Sequence, residues 1–505
     1  MLYCTNMKDI GHRIADLRET KGLTQADFAK ILNTTQSAIA RIESGNQNVS
    51  ADMLKRISKA LGKNLITLSP GTVNVEIDGG NKLTGTIETN TSKNGAVGLL
   101  CASLLNRGTT TLHRMPRIEE VHRIIEVLES IGVKVEWQGS TVMITPPKKI
   151  SLNKIDEEAA RRTRSIVMFI GSLIHLLPKF SLPQSGGCKL GSRTVKPHFY
   201  ALEHFGVDIK ATDKNYEVTK VQKIPNEIIL YESGDTVTEN TLFAAAKTTS
   251  PTTIKYASAN YMVQEICVFL QLLGVKIEGI GTTTLKVTGV PDIDKDVTYT
   301  LSEDPTDSMF FLATAIVTNS AITITRCPIE FLELELLKLE KMGFKYNKSK
   351  VYLSENGFTK LVDITTKSSK LIALHEKIHP SVYPGLNIDN LPFFAVIATQ
   401  AEGQTLIHDW VYEKRAIYFT ELEKLGADTV LADPHRIYIT GPTKLRPNEL
   451  ICPPALRPAT ILLIAMLGAK GRSVLRNIYS INRGYEKLVE RLTSLGAKIS
   501  YLDEF

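Results

Sequence analysis

Paired cysteines are missing from this sequence. The six present (Cys4, Cys101, Cys188, Cys267, Cys327 and Cys452) stand singly, with no C-x-x-C pair and no spacing of zinc type. Nothing in that spacing suggests a disulfide framework or a cysteine-built metal site, and it fits a reducing cytoplasm. Long apolar runs are missing as well. The most apolar stretches, "SIVMFIGSLIHLL" and "ATILLIAML", fall short of the ~18–20 residues that cross a bilayer. The first residues lack the apolar core of a secretory signal, so the expectation is a soluble cytoplasmic chain without a membrane partner. The familiar phosphate-binding and catalytic signatures are absent too: no G-x-G-x-x-G opens a helix after a strand, and there is no Walker A sequence, nucleophile elbow or H-E-x-x-H. "GIG" at 279–281 reads as a hairpin turn. An anion bound by this chain must therefore be held by side-chain cations.

What is present begins with length: 505 residues, 43% hydrophobic and 22% charged, suffice for several globular domains. The net charge of +7 is mild for that length and selects no partner by itself. The first seventy residues carry apolar positions three or four apart and no strand alternation, which predicts short amphipathic helices. Thr24 and Thr35 stand where N-caps belong, and "TQADFAKIL" and "TQSAIARIE" are separated by a tight "NTT" turn. This stretch, about residues 8–68, resembles the phage-repressor type of helix-turn-helix. The resemblance implies double-stranded DNA as a partner of domain 1–71, with Gln36, Ser37 and Arg41 facing base edges and Gln25 supporting a phosphate contact. An amide can pair with adenine and a guanidinium with guanine, so the groups suit the task. Ten Lys and Arg against six Asp and Glu in residues 1–71 favour DNA over a bundle used only for dimerisation.

Past "SPGT" the pattern changes to alternating helices and strands with an internal repeat. An amphipathic helix ending in glycine and leading into a strand recurs at Gly132, Gly206, Gly274, Gly343, Gly426 and Gly496, about seventy residues apart. Each glycine stands where a left-handed residue lets the chain leave a helix. Six such α/β units exceed one core, which points to two lobes of three units with a substrate cleft between them.

The repeats, the "SKNGA" segment at 92–96 and the "GGCKLGSR" loop together resemble the UDP-N-acetylglucosamine enolpyruvyl transferases, relatives of the shikimate-pathway enolpyruvyl transferase, from about residue 72 to the C-terminus. The fold class this implies is a two-lobed, inside-out α/β barrel of six βαβ-type repeats behind the small all-α domain. Residues 93–298 would form the N-terminal lobe with the cysteine loop, and residues 72–92 and 299–505 the C-terminal lobe. The implied substrates are phosphoenolpyruvate and UDP-N-acetylglucosamine or a related sugar nucleotide, with no cofactor and no metal. A homodimer is compatible with the pattern.

Residue by residue, the resemblance makes Lys93 and Asn94 phosphoenolpyruvate- and sugar-binding. It makes Cys188 the loop thiol, acting as general acid and in product release and open to the epoxide fosfomycin, and Arg193 the loop arginine. "RSIVMF" supplies Arg164, and "IDN" supplies Asp389 as the base for the attacking hydroxyl. "YEKR", "ALRPA" and "NRGYE" supply Arg415, Arg457 and Arg483, the last counted with Lys93, Cys188 and Asp389 as catalytic. His198 would touch the nucleotide. Two glycines before Cys188 and basic residues after it also favour an exposed, reactive thiol on chemical grounds, whereas the cysteines in apolar runs read as small buried hydrophobes. Four places depart from the family pattern: Lys196, where an aspartate is usual; Gly234-Asp235-Thr236, where Ser-Val-Gly contacts phosphate; "ANYM" at 259–262; and Asn387-Ile388 before Asp389. They spare the phosphoenolpyruvate end and fall on the nucleotide side and on supporting positions. They leave open an acceptor other than UDP-N-acetylglucosamine, and a body that senses ligand for the DNA-binding unit.

Overall fold

Threonine hydroxyls set the start of two helices near the N-terminus. Thr24 Oγ1 accepts the Asp27 N–H at 3.1 Å ahead of helix Gln25–Ile31, and Thr35 Oγ1 accepts the Ala38 N–H at 3.2 Å ahead of helix Gln36–Glu43. Between them Asn33 turns the chain at φ 46°. The computed structural model describes residues 14–15, 18–19, 21–44, 53, 56–57, 60–61, 73–184, 194–221 and 223–502. It divides into two compact units, Met1–Val73 and Asn74–Phe505. The first is held by Ile14, Phe28, Leu32, Ile39, Ile42, Ile57 and Leu61 and by a buried ion pair in which Arg18 Nε lies 2.7 Å from Glu43 Oε1.

The second unit contains six sheets among the described residues, in two sets of three. One set is built from strands between residues 110 and 300: Val297–Thr300 beside Thr110–His113, Thr141–Thr145 and Lys134–Gln138; Lys276–Glu278, Thr284–Thr288, Thr252–Lys255 and Glu227–Ile229; and Lys179–Pro183, Asn215–Lys220 and Val207–Ala211. The other set is built from strands after residue 320, except that Asn74–Gly79 inserts between Gly471–Arg476 and Lys498–Leu502, and Thr84–Glu88 pairs with Ala321–Pro328. The boundary expected between residues 298 and 299 falls inside strand Val297–Thr300, which pairs with Thr110–His113 and so belongs with the first set.

Helices lie inside and sheets outside in both sets. Pro305–Val317 and Leu391–Ala398 are buried at every residue and Leu456–Gly468 at nearly every one, and the three pack on one another. Lys93–Ala102, Asp235–Ala245 and Tyr261–Leu272 do the same in the first set. A helix apolar on all sides has no face to offer water, so the sheets must cover it. The six repeat glycines all take the left-handed conformation, with φ from 77° to 102°. The two sets are joined by a double crossing: Ser92 N–H donates to Ser302 O at 2.9 Å and Asp304 N–H to Asn90 O at 2.8 Å, with Thr91 bridging Glu303. No described helix is long and apolar enough to cross a membrane.

Candidate active site

The double crossing places the first cation. Ser92 caps helix Lys93–Ala102, its Oγ accepting the Gly95 N–H at 3.0 Å, so Lys93 stands on the first turn beside the crossing. Lys93 Nζ lies 3.5 Å from Glu120 Oε2, at the start of helix Glu119–Ser130. From the other set of sheets, Arg483, just past helix Tyr479–Asn482, brings its Nε to 3.8 Å from the same oxygen. Thr163 Oγ1 donates to Glu120 Oε1 at 3.4 Å. Burial works to raise the Glu120 pKa, but Lys93 and Arg483 outweigh it and hold the carboxyl below its ordinary value. Two cations from opposite lobes thus converge on one carboxylate.

A second group gathers around Asp389, which sits just before helix Leu391–Ala398 with its side chain 29% exposed. Arg457 Nη2 is 3.5 Å from Asp389 Oδ2, and Arg415 Nη1 is 4.0 Å from Oδ1. Arg457 is buried and donates to Tyr485 Oη at 2.7 Å. Asp304, the buried cap of helix Pro305–Val317, adds a carboxyl whose pKa burial raises and Arg457 lowers, with a net rise. Tyr261 joins the two groups: Ser92 Oγ donates to its hydroxyl at 3.2 Å. Burial raises its pKa, and Asp304 and Asp389 add to the rise. Glu120, Asp304 and Tyr261 were not singled out in the sequence. The signal for Asp304 was there, in an Asp-Pro opening a long apolar run.

The other expected site residues are placed as follows. Asn94 is partly buried beside Lys93. Arg164 Nη2 donates to Thr194 O at 2.9 Å, tying down the residue that follows the cysteine loop. Cys188 and Arg193 lie outside the described residues. Arg415 is buried among protein groups: it pairs with the buried Asp409, donates to Ile388 O at 2.8 Å and stacks over Tyr412 at 4.1 Å. It holds the backbone just before Asp389. Asn240 Oδ1 accepts the Gly171 N–H at 2.8 Å, so the Asn240 amide N–H faces His198 Nδ1 at 3.1 Å. Nδ1 therefore accepts, and Nε2 carries the proton toward Thr236 Oγ1 at 3.3 Å. Burial and Arg164 push its pKa down to about 3. Both ring nitrogens are engaged with protein groups, Nδ1 with Asn240 and Nε2 with Thr236.

In the helical unit Gln36, Ser37 and Arg41 are exposed along one helix. Gln25 Nε2 donates to Glu43 Oε2 at 2.9 Å. One of its amide hydrogens is spent bracing the unit. Among the described residues no cluster of His, Cys, Asp and Glu could hold a metal ion.

An inside-out pair of lobes with converging cations and a partly exposed carboxylate defines an enolpyruvyl transferase, and the sequence profile described as EPSP synthase (3-phosphoshikimate 1-carboxyvinyltransferase) matches residues 77–492. The chain belongs to that family of 1-carboxyvinyltransferases. Its relatives include the UDP-N-acetylglucosamine 1-carboxyvinyltransferases of Treponema denticola, 33% identical over 84% of this chain and 98% of that one, and of Bradyrhizobium diazoefficiens, 32% identical over 85% and 98%. The enolpyruvyl transferase NikO from Streptomyces tendae has a similar fold, at TM-score 0.73 and 24% identity over 86% of this chain and 100% of that one. A helix-turn-helix profile matches residues 14–68.

Proposed function

We propose that the chain transfers the enolpyruvyl group of phosphoenolpyruvate to the 3-hydroxyl of UDP-N-acetylglucosamine and releases inorganic phosphate, the first dedicated step of peptidoglycan synthesis. The observation that carries this reading is the juxtaposition of Lys93 and Arg483 about Glu120 with Asp389 against Arg457. Lys93, Arg193, Arg457 and Arg483 hold the carboxylate and phosphate of phosphoenolpyruvate, for which the arginine fork is suited. Asp389 takes the proton of the attacking hydroxyl as its oxygen bonds C2 of phosphoenolpyruvate, while Cys188 delivers a proton to the methylene carbon. The adduct then loses a proton from that carbon as the C–O bond to phosphate breaks, leaving the enol ether. Asn94 meets the sugar, and Arg164 steadies the loop. The helix-turn-helix binds double-stranded DNA through Gln36, Ser37 and Arg41.

One observation favours a second reading, transfer to another nucleotide or sugar. Asp235 opens helix Asp235–Ala245, accepting Ser258 Oγ at 2.6 Å and Asn260 Nδ2 at 3.3 Å. A carboxylate on that first turn adds negative charge at a helix N-terminus that would otherwise favour an anionic phosphate. A phosphate-release assay with phosphoenolpyruvate and a panel of acceptors tests both readings. Release that requires UDP-N-acetylglucosamine supports the first, and release only with another acceptor supports the second. No release with any acceptor, alongside ligand-dependent DNA binding, points to a sensor.

A further inference from the structure

Residues 338–377 hold nine lysines and four acidic residues, a net +5 of the chain's +7. Much of this charge lies at one edge of the five-stranded sheet. Strand Lys345–Lys348 pairs antiparallel with Lys360–Lys367 in a register that sets Lys345 directly opposite Lys367. Both side chains are exposed, as are Lys348 and Lys350. Like charges directly opposed across a ladder destabilise it, and the neighbours do little to relieve them. Glu340 accepts the Tyr346 hydroxyl at 2.6 Å, and Lys367 Nζ donates to the neutral Asn347 Oδ1 at 2.6 Å. Among the described residues, none forms an ion pair with Lys345, Lys348, Lys350 or Lys367. Lys345, Lys348 and Lys367, with Glu340, Phe344 and Tyr346, line a surface hollow of about 520 Å³.

Lysines on an edge strand commonly block pairing with another chain. That accounts for Lys345 and Lys348, but Lys367 is on the next strand in, where there is no free edge to guard. An unbalanced cluster of this kind is complementary to a row of phosphates, which lysine meets as a point charge. We propose that this edge is a second nucleic-acid contact, binding the phosphate backbone of duplex DNA without reading its sequence. Charge complementarity favours DNA as the occupant, as does, on the DNA-binding reading proposed above, the helix-turn-helix carried by the same chain. Backbone contacts of this kind supply sequence-independent affinity, which falls steeply with salt.

The test uses the full chain and a duplex of arbitrary sequence, titrated at several salt concentrations. Lys345→Gln with Lys348→Gln and Lys367→Gln should weaken binding at least tenfold at low salt. The slope of log K against log salt should drop by about 2–3, at ~0.9 for each phosphate no longer neutralised. Phosphate release from phosphoenolpyruvate should be unchanged and the melting temperature no lower than the parent's, since the side chains are exposed, relieving opposed charges does not weaken the ladder, and none of the three lies on the elements that carry Lys93 and Asp389; the corresponding Lys→Arg triple should bind as the parent does. Gln36→Ala with Arg41→Ala should remove sequence preference yet leave the lysine contribution in place. Unchanged affinity and slope in the glutamine triple overturn the proposal, as does loss of all duplex binding in the Gln36/Arg41 pair. Val351 and Leu353 are exposed nearby, so vesicles containing phosphatidylglycerol form the second arm. A triple variant that loses vesicle binding but keeps duplex binding would assign the edge to an anionic membrane surface instead.

Discussion

Arg483 and Lys93 come from opposite lobes yet approach the same oxygen of Glu120, at 3.8 Å and 3.5 Å. A carboxylate between these two cations, which the proposed function assigns to substrate, would aim both and stand where an anionic substrate would compete for them. Glu120→Gln should therefore lower kcat/KM by about a hundredfold, the scale of an ångström-sized misplacement. Glu120→Asp, which keeps the charge, should recover part of it. Steady-state kinetics together with a melting curve decide the matter: lost stability with intact kinetics would reduce Glu120 to a structural ion pair.

Arg415 is nearly inaccessible and faces an equally buried Asp409. Arg415→Ala should cost about 3–5 kcal/mol of stability in denaturant unfolding, because it strands a buried carboxylate. Asp409→Ala added to it should recover part of that loss. A variant that unfolds normally and shows only a raised KM for phosphoenolpyruvate would return Arg415 to substrate binding.

Two histidines make the transferase unit sensitive to acid. His198 and His175 are both pushed down to about 3, chiefly by burial. In the unfolded chain each would take a proton near ~6.5. Folded values below unfolded ones mean that the unfolded state binds more protons, so stability is retained above pH ~6.5 and falls as pH drops toward 3. The slope should approach roughly 1.4 kcal/mol per pH unit for each histidine. Denaturant unfolding between pH 7 and 4 measures it, and His198→Gln should remove one histidine's share.

Local grammar was legible in the sequence and long-range pairing was not. Threonine caps and the six glycines depend on a few neighbouring residues, and each appears where its neighbours require it. The fates of Arg415 and His198 depend on partners such as Asn240, 42 residues from His198, which local pattern cannot supply. A buried arginine and a substrate-binding arginine have the same one-letter signature. Glu120 was hidden for the same reason, since acidic residues on the first turn of a helix are ordinary, and only the fold brings Lys93 and Arg483 to it. The double crossing joins residues 90–92 to 302–304, a pairing with no local mark.

The cysteines provide a final test of the catalytic loop. Cys101, Cys267, Cys327 and Cys452 are all buried. Burial raises the pKa of each, Cys327 and Cys452 to about 12, so their thiolate fraction at neutral pH is very small. Cys188, preceded by Gly186 and Gly187 and followed by Lys189 and, five residues on, Arg193, is the thiol that an anionic epoxide such as fosfomycin should alkylate, steered by the cations that would bind phosphoenolpyruvate. Alkylation of the native chain followed by peptide mapping should place the label on Cys188 well before any of the four buried thiols. Cys188→Asp, which keeps a proton donor, should retain measurable phosphate release while losing the label, and Cys188→Ala should lose both. A label on Cys101 or Cys452 with Cys188 untouched would remove the loop thiol from the chemistry. Proton delivery to the methylene carbon would then fall to another acid at the site, with the buried carboxyl of Asp304 and the hydroxyl of Tyr261 the groups to substitute next.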